Sequence, residues 1–224
     1  MKELIYHRSF MPALRQHKEK LAVVDGAYRA SFTKHADRIF RLVHALRHAL
    51  DIGRGDRFAV LAKNSHAYLE LYHASFLSGG VINPMNLRLS PSELNYIIQD
   101  SGAKTIFVDQ HFAPLLEKAM SLPGATSMRH TVLIGEGDAR HDARYEDVLA
   151  AAEPEIPEEP EEDDPVVLMY TGGTTGLAKG VVLTQRAEIL NLYHGRLARP
   201  DLGDDTVNLI QTPMFHIASM GALL

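Results

Sequence analysis

The sequence predicts an α/β protein with mainly parallel, twisted sheets flanked by helices. Short apolar runs alternate with helix-length stretches from Arg57 to Ala152, the spacing of β–α–β units. Helix boundaries are written into the chain: Asn64-Ser65 reads as the cap before one apolar stretch, and Ser90-Pro91-Ser92-Glu93 combines an N-cap, a first-turn proline and a capping box. A glycine- and threonine-rich stretch, residues 170–180, lies between two apolar runs that read as strands.

Taken in order, residues 4–19 read as a short helix around Pro12. Residues 21–24 and 28–31 read as a hairpin turning at Asp25-Gly26. From Thr33 a helix runs to about Leu50, with Ile39, Leu42, Val43, Leu46 and Leu50 as its apolar stripe. His44 and His48 lie four apart on its other face, beside Asp37 and Arg41; a solvated face is the expected role, and no metal ligand is assigned. Strands are expected at 57–62, 81–82, 104–108 and 131–134, and helices at 65–77, 91–100, 113–121 and 145–152. Asn86 and Arg88 are expected to anchor their loop. After residue 180 the chain predicts a strand, a helix from Gln185 to about Ala198 capped by Thr184, and a strand at 206–211. Residues 217–224 read as a helix-compatible apolar stretch with no capping signal or polar tail, as in a chain cut within a larger fold.

Composition narrows the function classes. The net charge of −5 is concentrated: residues 153–164 carry eight acidic groups and no basic one, leaving the remainder near balance. Nothing in this distribution suggests a nucleic-acid surface. With prolines at 154, 157, 160 and 165, the acidic segment cannot form a regular helix or inner strand, and is expected to be a solvated linker. The expected division is therefore 1–152, linker 153–165, and 166–224. The absence of cysteine excludes disulfides and thiolate–zinc sites and fits a cytoplasmic location. No secretory signal and no apolar run near the ~20 residues of a membrane span is visible, while peripheral membrane contact stays open.

Residues 170–180, YTGGTTGLAKG, carry the most specific chemistry. Glycines let a backbone approach a ligand closely; backbone N–H groups, the hydroxyls of Thr171, Thr174 and Thr175, and the Lys179 ammonium all suit phosphate oxygens. The kinase-type phosphate loop is a poorer match, because Ala178 precedes the lysine, Gly180 follows it, and the next residues read as a strand rather than a helix. A mobile loop with no ligand is the bland alternative. Downstream, Thr212-Pro213-Met214-Phe215-His216 places a histidine at a helix start, where local sequence alone favours a capping or core-edge role.

The loop resembles the phosphate-binding signature of the adenylate-forming superfamily, typically Y-T-[SG]-G-T-T-G-x-P-K-G, with Ala178 where proline is usual. Alanine there implies altered loop order with the ligand groups retained. The stretches GDRFAVLAKNSHAYLEL, GGVINPMNLRLSPSEL and DSGAKTIFVD are similar to the N-terminal regions of acyl-CoA synthetases, and P-M-F-H at 213–216 resembles a second signature of acyl- and aryl-CoA synthetases. Peptide-synthetase domains usually differ there. The resemblance implies the N-terminal part of that fold. It also implies an acid–thiol ligase when complete, which activates a carboxylic acid, by expectation a fatty acid, to an acyl-adenylate and then to an acyl-CoA. ATP, Mg2+ and CoA are the implied cofactors, with the Mg2+ ligand outside these residues. Thr171, Gly172, Gly173, Thr174, Thr175, Gly176 and Lys179 would hold the β- and γ-phosphates, His216 would act beside the substrate carboxylate, and Phe215 would line the acyl path. A chain ending at Leu224 is expected to be inactive alone. A ligase loading a carrier protein, a phosphotransferase of another fold and a non-catalytic nucleotide-binding module are the alternatives.

Overall fold

A computed structural model describes residues 3–124, 127–172 and 176–223. Its first elements are helix α1 (His7–His17), the antiparallel hairpin β1 (Leu21–Asp25) and β2 (Tyr28–Ser31), and helix α2 (Phe32–His48). The β–α alternation follows: β3 (Arg57–Leu61), α3 (His66–Ser78), β4 (Val81–Pro84), α4 (Pro91–Ser101), β5 (Thr105–Asp109), α5 (Ala113–Met120) and β6 (His130–Ile134). The two-residue β7 (Ala143–Arg144) leads into α6 (Tyr145–Ala150); β8 (Pro165–Thr171), β9 (Lys179–Thr184) and α7 (Gln185–Ala198) complete the main layers. A 3₁₀ turn (Ile217–Ser219) and α8 (Met220–Leu223) come last.

Seven strands form one sheet in the order β7-β6-β5-β3-β4-β8-β9, parallel throughout except for the antiparallel β8–β9 pair. Side chains alternate between its faces, as pleating requires. Phe58, Val60, Phe107 and Val132 pack with α1, α2, α3 and α6, whereas Ala59, Leu61, Ile106 and Val108 pack with α4 and α5. Burial on both faces explains why β3 reads as the continuous apolar run FAVL.

The expected caps form: Ser65 and Thr184 each accept a backbone N–H of the first turn, and Ser90 and Glu93 complete the capping box. Ser31, read in sequence only as a strand residue, also caps α2 by accepting the Lys34 N–H. Helix α3 ends on Gly79 at φ +78°, a left-handed conformation that favours glycine.

Three features differ from expectation. Residues 206–211 form no strand, because no described strand pairs with them, and Val207 and Leu209 stay exposed. Strand β7 escapes sequence reading because two residues carry no periodicity; it exists through its pairing with Val132 and Leu133. Residues 153–164 lack helix and strand but are more than a solvated linker. Pro157 and Pro160 are buried, Glu155 pairs with Arg47 at 2.6 Å, Glu159 with Arg8 at 3.0 Å, and Asp164 with Arg54 at 2.7 Å. Arginines on α1, α2 and the α2–β3 turn draw the acidic segment onto the surface.

Two histidines are buried between α2 and α3. His35 Nε2 lies 3.0 Å from His73 Nδ1, and the other His35 ring nitrogen has no partner among the described residues. Burial first, then the neighbouring His73 and Arg38, hold the His35 imidazole well below the usual histidine range. The unfolded chain therefore takes up this proton first, so stability is intact above about pH 6.5 and falls as pH drops below it, by roughly 1 kcal/mol per pH unit. Urea midpoints measured from pH 7 to pH 5 are expected to show this slope, and His35→Gln is expected to flatten it. An equally steep slope in the variant would rule His35 out as the cause.

Candidate functional site

Strands β4 and β8 run parallel, so their carboxyl ends lie on one edge of the sheet, the edge where open α/β sheets bind ligands. A cavity of about 750 Å³ opens there. Asn83 and Pro84 from the end of β4 and Tyr170 and Thr171 from the end of β8 contribute to its wall; α4 adds Ser92 and Tyr96, and β9 adds Val181 and Leu183.

The loop of residues 172–178 joins two antiparallel strands, which excludes the strand-to-helix setting of a kinase-type phosphate loop. Thr171, Gly172 and Gly176 line the cavity. Lys179 is exposed in the first rung of the β8–β9 ladder, opposite Thr171, whose hydroxyl donates to the Lys179 carbonyl at 3.4 Å. Gly173, Thr174 and Thr175 lie outside the described residues.

The glycines differ in what requires them. A Cβ on Gly180 would fall 2.9 Å from Leu168, so close packing explains that glycine. A Cβ on Gly172 or Gly176 would meet nothing within 4 Å among the described residues, and Gly172 has no positive φ. No packing against the described residues demands glycine at those two positions, which leaves room for a ligand to approach their backbone.

Two tyrosines hold the ends of the loop. Tyr170 Oη donates to Asp100 at 2.5 Å; burial, then the Asp100 hydrogen bond, raises its hydroxyl above the ordinary tyrosine range. Tyr96 Oη, from α4, donates to the carbonyl of Ala178 at 3.1 Å. This tie gives the loop a fixed point at the residue where the superfamily pattern has proline. A hydrogen bond of this kind contributes about 1 kcal/mol net. Tyr96→Phe is therefore expected to speed amide hydrogen exchange at Gly176 and Lys179 roughly fivefold. Unchanged exchange would show that the tie does not restrain the loop.

The 212–217 segment closes the cavity from another side, with Phe215, His216 and Ile217 in its lining. His216 caps the 3₁₀ turn: its Nδ1 accepts the Ala218 N–H at 3.1 Å. The capping role that local sequence favoured is thus present, and the same residue also faces the cavity. With Nδ1 accepting, the neutral ring carries its proton on Nε2, which has no partner among the described residues.

Sequence reasoning missed what fixes this segment. Asn64 receives the Met214 N–H at 2.8 Å and donates to the Thr212 carbonyl at 2.8 Å. Tyr72 Oη donates to the Met214 carbonyl at 2.6 Å. Asn64 reads as part of a helix cap, but Ser65 alone performs the capping. Asn83 was also missed: it is fully buried, lines the cavity, and neither amide atom has a partner among the described residues. An asparagine ahead of a proline at a strand end was its only sequence signal. Asn86 does anchor its loop, accepting the Arg88 N–H at 3.0 Å.

The donor set bears on a metal. Glu93 is the one carboxylate among the described lining residues, and it is engaged by the Ser90 backbone at 2.8 Å and the Ser90 hydroxyl at 2.7 Å. The described lining residues therefore do not make a Mg2+ site on their own.

Comparison with known proteins identifies the family. The family model for AMP-binding enzymes matches residues 10–224. A fatty acid–[acyl-carrier-protein] ligase of Streptomyces coeruleorubidus is 36% identical over 187 residues, covering 80% of this chain and 33% of the relative. A long-chain-fatty-acid–CoA ligase of Thermus thermophilus is 34% identical over 199 residues, covering 85% and 34%. A peroxisomal trans-cinnamate:CoA ligase of Petunia hybrida is 30% identical over 225 residues, covering 92% and 39%. The chain thus spans little more than a third of these relatives. Among solved structures, ATP-bound MatB from Rhodopseudomonas palustris superposes with a TM-score of 0.79 at 25% identity, covering all of this chain and 42% of that one. The AMP complex of O-succinylbenzoate coenzyme A synthetase from Bacillus subtilis shares the fold with a TM-score of 0.77 at 23% identity, over all of this chain and 52% of that one. By its family match, its relatives and its fold, the chain belongs to the AMP-binding enzyme family.

Proposed function

We propose that this chain supplies the N-terminal, phosphate-binding part of an ATP-dependent acid–thiol ligase that activates a fatty acid. The observation that carries the reading is the meeting of two distant stretches: Thr171, Gly172 and Gly176 line the same cavity as Phe215 and His216. The two glycines, which meet no packing neighbour among the described residues, supply backbone for phosphate oxygens.

On this reading, a carboxylate oxygen attacks the α-phosphorus of ATP, the bond to the β-phosphate breaks, and pyrophosphate leaves. Thr171, Gly172, Gly173, Thr174, Thr175, Gly176 and Lys179 hold the β- and γ-phosphates and stabilise the charge that grows on them. The His216 Nε2–H donates to the substrate carboxylate and orients it; Phe215 borders the acyl path. A thiol then attacks the acyl carbon of the mixed anhydride and AMP leaves. The Mg2+ that accompanies ATP would neutralise phosphate charge, held by residues outside those described here. The apolar wall of Met85, Leu89, Ile97 and Met169 supports an aliphatic acid.

A second reading keeps the adenylation step and changes the acceptor to the thiol of a carrier protein. The match to the carrier-protein ligase of Streptomyces coeruleorubidus favours it.

The test is carboxylate-dependent exchange of pyrophosphate into ATP, in the protein carrying this chain with the remaining portion that its relatives possess. Exchange with fatty acids is the expected result, and the chain of 224 residues alone is expected to give none. ADP release without exchange, for any acid, would overturn the ligase reading. Thioester formation with CoA against a carrier protein then separates the two acceptors.

A further inference from the structure

We propose that His44, His48 and Glu155 form a binding site for one divalent transition-metal ion of the Zn2+ or Ni2+ type. The sequence pairs the two histidines one helical turn apart on α2, and that pair alone reads as a solvated face. The fold adds the third group. Glu155, from the acidic segment, brings Oε2 to 3.2 Å from His48 Nε2, and one ligand atom from each of the three residues lies within 4.8 Å of the others. The two imidazole rings are 4.4 Å apart, and His44 makes no hydrogen bond or ion pair among the described residues.

The carboxylate is held in place independently of the histidines. Its backbone N–H donates to the Phe40 carbonyl at 3.1 Å, and Arg47 donates to its other oxygen at 2.6 Å. Arg47 is itself tied to the Ser78 carbonyl at 3.2 Å, and Arg41 donates to the Ala152 carbonyl at 2.6 Å, where the segment leaves α6. Outer contacts of this kind orient a ligand, and they leave the second oxygen facing His48 Nε2, a contact that an ion between the two would replace.

Two imidazoles and one carboxylate suit Zn2+, Ni2+ or Co2+ rather than Mg2+ or Ca2+. Zinc bonds near 2.0–2.1 Å place tetrahedral ligand atoms roughly 3.4 Å apart. The site therefore tightens slightly on binding, which the exposed His48 side chain accommodates by rotation. Three protein ligands leave a position for water. None of the three residues lines the cavity, so the bound ion clamps the acidic segment to α2 and acts on stability.

The experiment is calorimetric titration of the purified chain with Zn2+ and with Ni2+, paired with thermal unfolding. One saturable ion per chain and a rise of several degrees in Tm are expected. His44→Ala, His48→Ala and Glu155→Gln should each weaken binding more than tenfold while keeping the native circular dichroism spectrum. His194→Ala, an exposed histidine on α7, should change nothing, and millimolar Mg2+ should not compete. Absence of saturable binding overturns the proposal. So does binding that survives Glu155→Gln unchanged, which would reduce the site to a bare histidine pair.

Discussion

Replacing Lys179 by alanine is expected to slow acyl-adenylate formation about 10²-fold, the size of effect seen when one donor to a charged transition state is lost. The expectation rests on the proposed ligase reading. Lys179 is exposed beside the loop, and its backbone is fixed by the rung opposite Thr171. Removing its side chain subtracts a point charge from the departing pyrophosphate and disturbs no buried contact. The loss should fall on the rate of adenylation, with the urea midpoint unchanged. Lys179→Arg should recover part of the rate, because it restores charge with a different donor geometry. Pyrophosphate exchange by Lys179→Ala equal to that of the parent protein would remove this residue from the phosphate site.

Arg38→Ala is expected to be the most damaging single change to stability, at about 3–5 kcal/mol. Glu70, on the buried helix α3, is fully inaccessible, and Arg38 Nε donates to it at 2.7 Å. Tyr145 donates to the same carboxylate at 2.7 Å and Tyr28 at 3.3 Å. Arg38 also reaches Glu146 at 2.7 Å. One guanidinium thus joins α2, α3 and α6. Without it, a buried carboxylate keeps only its neutral tyrosine donors. Adding Glu70→Gln to Arg38→Ala should recover part of the loss, since the uncompensated charge is then gone. A urea-derived loss below about 1 kcal/mol would mean that the two hydroxyls suffice for Glu70.

Much of the site was legible because its chemistry is local. A phosphate-binding loop depends on residue types at fixed neighbouring positions, so Thr171, Gly172, Gly176 and Lys179 stand out in sequence. His216 stood out less, because a histidine at a helix start is usually a cap. It is one here, and only the tertiary structure shows that it also faces the cavity. Asn64 and Tyr72 were not legible at all, since each acts through the backbone of a segment 142 to 150 residues away. Asn83 was hidden for a related reason: its side chain is notable only because the fold buries it with no partner.

The sequence by itself determined the alternation of strands and helices, the caps that begin α3, α4 and α7, and the glycine- and threonine-rich loop between two strands. Each of these is written in near neighbours and in the preferences of the backbone. The tertiary structure alone decided the strand order, which places β8 beside β4, and the absence of a strand at 206–211, where no ladder partner is offered. It also decided the folding of the acidic segment onto the arginines of α1 and α2. Hydrogen-bonded pairing and ion pairing between distant residues depend on which surfaces meet, and that is set by burial of the whole core rather than by any local run of residues.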